Sequence, residues 1–420
     1  MPLQPTSLHR FSLPPLTRAL ALLLCGFSAA LAANTQSTAT ALTLEEQRVE
    51  AACAELQLNC SADFVPALIS SQFDQANGVF DSKTATRLGN LLWRRSQQLD
   101  DQRQLQAVDD RKLYWSRLAI KSGIKNRQQS TNADAKRTLK LALTRFERAS
   151  RGFDDLTFGS DADLQILITG FDPFGLHNQL DQSNPSGVAA LSFDGLVISS
   201  AGISAELQSA VFPVRFADFD EGMVESVVAP LLAERAVDAI VTISMGRDDF
   251  DLERFPGRRR SATAPDNLMI LNGANAEQPL VPMLNGADLS GPEFVEFSLP
   301  VDSMQAIQSP FKVNDNRSVT TVEQGTGNAT SLGDIVNNTS VRGSGGGYLS
   351  NEISYRTVRL AQQDTRDIAA GHIHTPRIAG ANRTTSHNIT RQIRAMLEAA
   401  LPELANRRKA RHTEPDGSNP

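Results

Sequence analysis

Two histidines one residue apart, in Gly371-His372-Ile373-His374-Thr375-Pro376, bring proton-transfer chemistry to one short segment. The apolar run before them reads as a strand, and alternation along a strand points His372 and His374 to the same face. Two imidazoles on one face can share a zinc ion, but zinc needs a third ligand, and no acid or histidine stands nearby at a familiar spacing. No metal and no cofactor are therefore expected. His372 reads most simply as a hydrogen-bonded structural histidine. Ser350, in Gly347-Tyr348-Leu349-Ser350-Asn351-Glu352-Ile353-Ser354-Tyr355, follows a glycine run and opens a helical pattern. Free N–H groups and the helix dipole at such a start can hold an oxyanion. Phe171 and Phe174, in Gly170-Phe171-Asp172-Pro173-Phe174-Gly175, fit either a core turn or aromatic pocket walls. Glu253, close before Arg258, Arg259 and Arg260, reads on its own as half of a weak surface ion pair.

The elements that must position these residues change character along the chain. Residues 40–150 are rich in Leu, Ala, Arg, Gln and Glu, with Leu88, Leu91 and Leu92 and later Leu139, Leu141, Leu143 and Phe146 suited to amphipathic helices. An all-α accessory domain is expected over residues 33–155. From Leu164 short apolar runs alternate with helical patterns: 164–168, 238–243 and 368–373 read as strands, and Val224, Val227, Val228, Leu231 and Leu232 as one helix face that Pro230 interrupts. The fold class is α/β, a three-layer α/β/α sandwich with a mostly parallel sheet over residues 160–404, its chemistry beyond the carboxyl ends of the strands. Residues 311–347, rich in Asn, Thr, Ser and Gly, read as a long flexible loop. A closing helix near 385–400 precedes a disordered tail over 405–420, polar from about Asn406.

Four segments, in chain order, resemble the motifs of type I pyroglutamyl peptidases (pyrrolidone-carboxylate peptidases). They are the Gly170–Gly175 loop with Asn184-Pro185-Ser186, then Gly246-Arg247 with Glu253-Arg254, then the Ser350 run, and last the His374 strand. The resemblance covers about residues 164–400. It implies that Phe171 and Phe174 bind a five-membered lactam, whose flat apolar faces and amide edge suit aromatic stacking and backbone hydrogen bonds. It also implies that His374 is the general base and that Glu253 orients it, fixing the tautomer and stabilising the imidazolium. Ser350 stands where the family carries a cysteine. A hydroxyl is far less acidic than a thiol, so the base must take its proton during attack. The chain departs from the family at Leu176, where a second glycine is usual, in Phe255-Pro256-Gly257-Arg258, where an Asn is usual, and in a longer segment between Glu253 and Ser350. The implied activity is removal of N-terminal pyroglutamate from peptides. A site retired from catalysis that still binds such peptides, with the helical region docking a partner, stays open, as does a helical region that is a removable pro-segment and a homo-oligomeric assembly.

Length and composition fit a globular protein with a full core: 420 residues, 40% hydrophobic and 21% charged. Arg10 and Arg18, the apolar run 19–25 and the small-x-small Ala30-Leu31-Ala32 make a signal peptide over residues 1–32, which places the mature chain in the periplasm or outside the cell. Its removal moves the net charge from −6 to −8, with no case for nucleic-acid or anionic-membrane partners. No later apolar stretch reaches the roughly 20 residues of a bilayer span. Cys53 and Cys60 are then the only cysteines in an oxidising compartment and are expected to form a disulfide. The absence of cysteine from the α/β region fits both a serine nucleophile protected from oxidation and a lost one.

Overall fold

The computed structural model describes residues 41–56, 80–97, 109–128, 132–159 and 161–413. The expected leader and Cys60 lie outside the described residues. Its centre is a seven-stranded sheet in the order β2-β3-β1-β4-β12-β5-β8. These strands are β1 (Leu164–Phe171), β2 (Leu196–Ser200), β3 (Ile203–Phe212), β4 (Ala239–Met245), β5 (Phe250–Glu253), β8 (Val313–Asn316) and β12 (Ala369–Thr375). β3, β1, β4 and β12 run parallel, β5 runs antiparallel to β12, and β2 closes the far edge antiparallel to β3. β1, β4 and β12 are buried along nearly their whole length on both faces, which is why they read as near-continuous apolar runs.

Helices cover both faces. α6 (Pro185–Phe193), α9 (Val301–Gln305) and the closing α11 (Arg383–Thr413) pack on one; α7 (Phe216–Asp220), α8 (Met223–Ala233) and α10 (Leu349–Gln363) pack on the other. The architecture is the expected α/β sandwich. α8 runs on past Pro230 to Ala233. A helical layer precedes it: α1 (Leu44–Gln47), α2 (Val49–Glu55), α3 (Ser82–Ser96), α4 (Asp110–Arg127) and α5 (Ala133–Ala149). Asp81, Asp109 and Asn132 cap the starts of α3, α4 and α5 with side-chain oxygens. Leu88, Leu92, Leu139, Leu143 and Phe146 form their shared core, which continues into Val188 and Leu191 of α6, so this layer packs on the sandwich itself. Leu141, expected on that core face, is 52% exposed.

Two expectations are corrected. Residues 311–347 are not a flexible loop. They add β8 to the edge of the main sheet beside β5, then form an antiparallel sheet of β10 (Gly325–Asn328), β9 (Ser318–Thr321) and β11 (Ser340–Arg342), followed by a turn into α10. The two-residue strands β6 (Met283–Leu284) and β7 (Ala287–Asp288) make a further hairpin. Nor does a disordered tail begin near Asn406, because α11 continues to Thr413. Arg407 donates to the Ser298 carbonyl, Arg408 to Asp163 and Asp238, and Arg411 to the Asp367 carbonyl, so the basic end of the helix is tied to the amino-terminal edge of the sheet.

Candidate active site

His374 and Glu253 come together because β5 lies antiparallel beside β12, with His374 opposite Asp251 and Ile373 opposite Leu252. His374 Nδ1 donates to Glu253 Oε1 at 2.5 Å. That bond directs Nε2 away from the acid and fixes the tautomer in which Nε2 can take a proton. Gly246 makes the space, since a Cβ there would stand 2.7 Å from the His374 Cβ. Glu253 is buried, and burial pushes its carboxyl above the usual range while the imidazole pulls it back down. Its other oxygen accepts from Asn316 Nδ2 at 2.9 Å, and Asn316 also donates to the Ser344 carbonyl at 3.0 Å. The neighbouring arginines do not reach Glu253: Arg258 and Arg259 pair with Glu293, and Arg260 pairs with Glu352 and Asp220.

His372 is a different kind of histidine. Thr242 Oγ1 lies 2.8 Å from its Nδ1 and Ser244 Oγ 2.7 Å from its Nε2, so both nitrogens are occupied. Complete burial, with His374 as a second cause, holds it well below the usual histidine range and therefore neutral. Its ring meets that of His374 edge-on, centroids 4.8 Å apart, and supports it from beneath. Among the described residues no group of three or more His, Cys, Asp or Glu is arranged to hold a metal ion.

A partly open cleft lies beyond the carboxyl ends of β1 and β4, lined by Phe171, Phe174, Asn184, Val214, Ser244, Met245, Tyr348, Leu349 and Ser350. Phe171 is both core and wall, 3% exposed and stacked at 6.2 Å on Phe219; Phe174 is half-buried. Asn184 holds the aromatic loop by donating to the Asp172 carbonyl at 3.0 Å. Ser244 lines the cleft beside Ser350 and is the register partner of His374, so serine and dyad share one end of the sheet.

Ser350 is the second residue of α10, whose start no side chain caps. The first-turn N–H groups therefore remain available to an oxyanion. The Ser350 hydroxyl donates to the Gly345 carbonyl at 3.3 Å and makes no hydrogen bond to His374. The structure brings together Glu253 with His374, and Ser350 with Phe171 and Phe174, but does not close the link from Ser350 to His374. The residues flanking Ser350 build the wall. Asn351 accepts from Gly257 N at 3.0 Å and donates to Gly257 O at 2.7 Å, clamping the 255–257 segment; Tyr348 donates to the Pro265 carbonyl and Tyr355 to the Pro292 carbonyl. Asn316 and Ser344 were not singled out in the sequence, since a lone Asn or Ser in a polar stretch carries no signal.

Comparison with known proteins gives two family models. One described as PA0049, C-terminal domain matches residues 165–295 and 302–379, and one described as PA0049 N-terminal domain matches residues 28–147. The uncharacterized protein PA0049 of Pseudomonas aeruginosa is 28% identical over 383 residues, covering 70% of this chain and 69% of its own. Among solved structures, pyrrolidone carboxyl peptidase from Pyrococcus furiosus, determined together with its Cys-free mutant, is similar at 20% identity, covering 57% of this chain and 100% of that one with a TM-score of 0.39. A point mutant of the same enzyme gives the same values.

Proposed function

We propose that this protein is an exported hydrolase that removes N-terminal pyroglutamate from peptides by acyl transfer to Ser350, without a metal or cofactor. The observation that carries the reading is the 2.5 Å Glu253–His374 pair at the end of the sheet where the aromatic cleft carries Ser350 on its wall. The lactam lies between Phe171 and Phe174. Ser350 Oγ attacks the carbonyl carbon of the amide that follows, its proton passes to His374 Nε2, and Glu253 stabilises the imidazolium. The oxyanion sits at the start of α10. Collapse of the tetrahedral species breaks the C–N bond as His374 returns the proton to the leaving amine. Water, deprotonated by the same imidazole, then releases pyroglutamate and restores Ser350. Before attack the Ser350 hydroxyl turns from Gly345 to His374.

That hydrogen bond to Gly345 favours a second reading, in which the site binds pyroglutamyl peptides without cleaving them. Turnover of a pyroglutamyl amide by the mature protein separates the two, with Ser350→Ala as control and Ser350→Cys as the sharper variant. Activity lost in Ser350→Ala and raised in Ser350→Cys supports the hydrolase, since a thiolate forms readily beside an imidazole. No turnover by either parent or Ser350→Cys, with lactam binding retained, makes it a binding protein. Export carries its own tests: the mature amino terminus should begin just after Ala32, and Cys53 and Cys60 should show no free thiol under denaturing, non-reducing conditions.

A further inference from the structure

We infer that the helical layer is a working part of the substrate site, its Arg117, Arg151 and the pocket for Leu176 positioning the aromatic loop that receives the lactam. The inference rests on the lactam reading of that loop. Asp172, between Phe171 and Phe174, sends its carboxylate away from the cleft into the helical layer. Arg117 on α4 donates to Asp172 Oδ1 at 2.5 Å and Arg151, just after α5, stands 2.8 Å from Oδ2. All three side chains are at most 2% exposed. Paired charges this deeply buried are costly to separate, because either partner left alone keeps its desolvation penalty. Arg151 is fixed in turn by Glu147 at 2.7 Å, so the loop is referenced to two helices of another layer.

The second anchor is apolar. Leu176, which replaces a small residue in the resemblance described above, is 1% exposed and packs with Tyr114, Trp115, Leu118 and Ala52 of the helical layer. The loop also has tethers inside the sandwich, from Asn267 and Asn184 to the Pro173 and Asp172 carbonyls. Those hold its backbone; the charged and apolar anchors hold its two side chains flanking Phe174. A segment built into the wall in this way is not a removable pro-region. Cutting it away would strand Asp172 without its arginines and expose Leu176.

The test compares Arg117→Met, which leaves Asp172 paired with Arg151, and Leu176→Ala with Lys125→Met, which breaks an ion pair to Glu46 in the same layer away from the loop. Calorimetry with a pyroglutamyl peptide and steady-state turnover are measured for each. The expected result is a Kd and KM raised roughly tenfold to a hundredfold in the first two, with kcat near the parent's, as for a misplaced binding wall. Lys125→Met should lower Tm yet leave Kd and KM unchanged, and Leu176→Met, which refills the space, should restore binding. Unchanged affinity in Arg117→Met and Leu176→Ala, or an equal loss in Lys125→Met, overturns the inference. If the parent itself neither binds nor cleaves a pyroglutamyl peptide, the functional reading fails, and amide hydrogen exchange over residues 170–176 still decides the positioning role. Faster exchange there in Arg117→Met and Leu176→Ala than in Lys125→Met supports it, and equal rates overturn it.

Discussion

One wall of the cleft, from Phe171 to Leu176, is fixed by buried charges and an apolar plug that reach it from the helical layer, whereas the other, from Gly343 to Asn351, is fixed within the sandwich by close backbone approach at Gly257 and Gly343 and by the neutral Asn351 amide. At Gly343 a Cβ would lie 2.0 Å from Asn351 Oδ1 and 2.2 Å from the Gly257 N. The first wall depends on paired charges and on contacts distant in sequence. The second depends on glycines that leave room for close approach and on one uncharged side chain, Asn351. The two walls therefore respond to different perturbations: charge changes should move the aromatic wall and added volume the Ser350 wall.

Glu253→Gln should give the largest effect. On the proposed mechanism an amide cannot stabilise the imidazolium and can hold the wrong tautomer, so kcat on a pyroglutamyl amide should fall by on the order of 10⁴-fold while calorimetric affinity for a pyroglutamyl peptide stays at the parent's value. A matching loss of affinity would break the separation between the walls. Next in size is Gly343→Ala, where the added methyl meets backbone that cannot yield cheaply. A destabilisation of about 3 kcal/mol is expected from denaturant unfolding. Stability within experimental error of the parent would show that the two segments are less tightly matched than their contacts imply.

How far these walls could be read from the sequence follows from the same physics. β1, β4 and β12 were legible because both their faces are buried and most of their residues are apolar or small. Glu253 and His374 were legible only through the order of several motifs, since either alone is an ordinary polar residue. Residues 311–347 were misread because their strands are mostly Asn, Thr, Ser and Gly, with a single buried valine in each of β8, β9 and β11; all of β10 is exposed, and its pairing is carried by the main chain rather than by a hydrophobic pattern. The end of α11 was misread for a related reason, as its arginines resemble a solvated tail until carbonyls and Asp238 are placed beside them. Arg117 and Arg151 were invisible altogether. An arginine on or just after a helix reads as surface, and the carboxylate that pairs with it lies in a different layer of the fold.

Asn351→Ala comes third. It removes both hydrogen bonds to Gly257 and leaves a buried N–H and carbonyl without partners, at a cost of about 2 kcal/mol. The effect should be the same at acid and neutral pH, because no titrating group takes part. A pronounced pH dependence would mean that the Ser350 wall shares the electrostatic control of the aromatic one.

The smallest effect is the one that distinguishes the walls by mechanism. Asp110, at the start of α4, accepts from the Ser183 hydroxyl at 2.5 Å and from Asn184 N at 2.8 Å, and Asn184 lines the cleft beneath the aromatic loop. Complete burial pushes its carboxyl from 3.8 up to about 7, against the pull of those two hydrogen bonds; Asp109 pushes the same way and Arg111 opposes. A carboxyl whose folded pKa is raised binds more protons folded than unfolded, so its contribution to stability declines as pH rises from about 4 to about 7. The loss should be roughly 1 kcal/mol between about pH 6 and about pH 7.5. Asp110→Asn removes the titration while keeping the geometry, because its amide oxygen can accept from Asn184 N and its amide nitrogen can donate to the Ser183 oxygen. Unfolding of the variant across that window should be flatter than the parent's, with stability at neutral pH equal or higher. Parallel pH profiles for the two proteins would show that Asp110 stays ionised throughout, and the aromatic wall would then rest on the Asp172 arginines and Leu176 without a contribution from proton binding at Asp110.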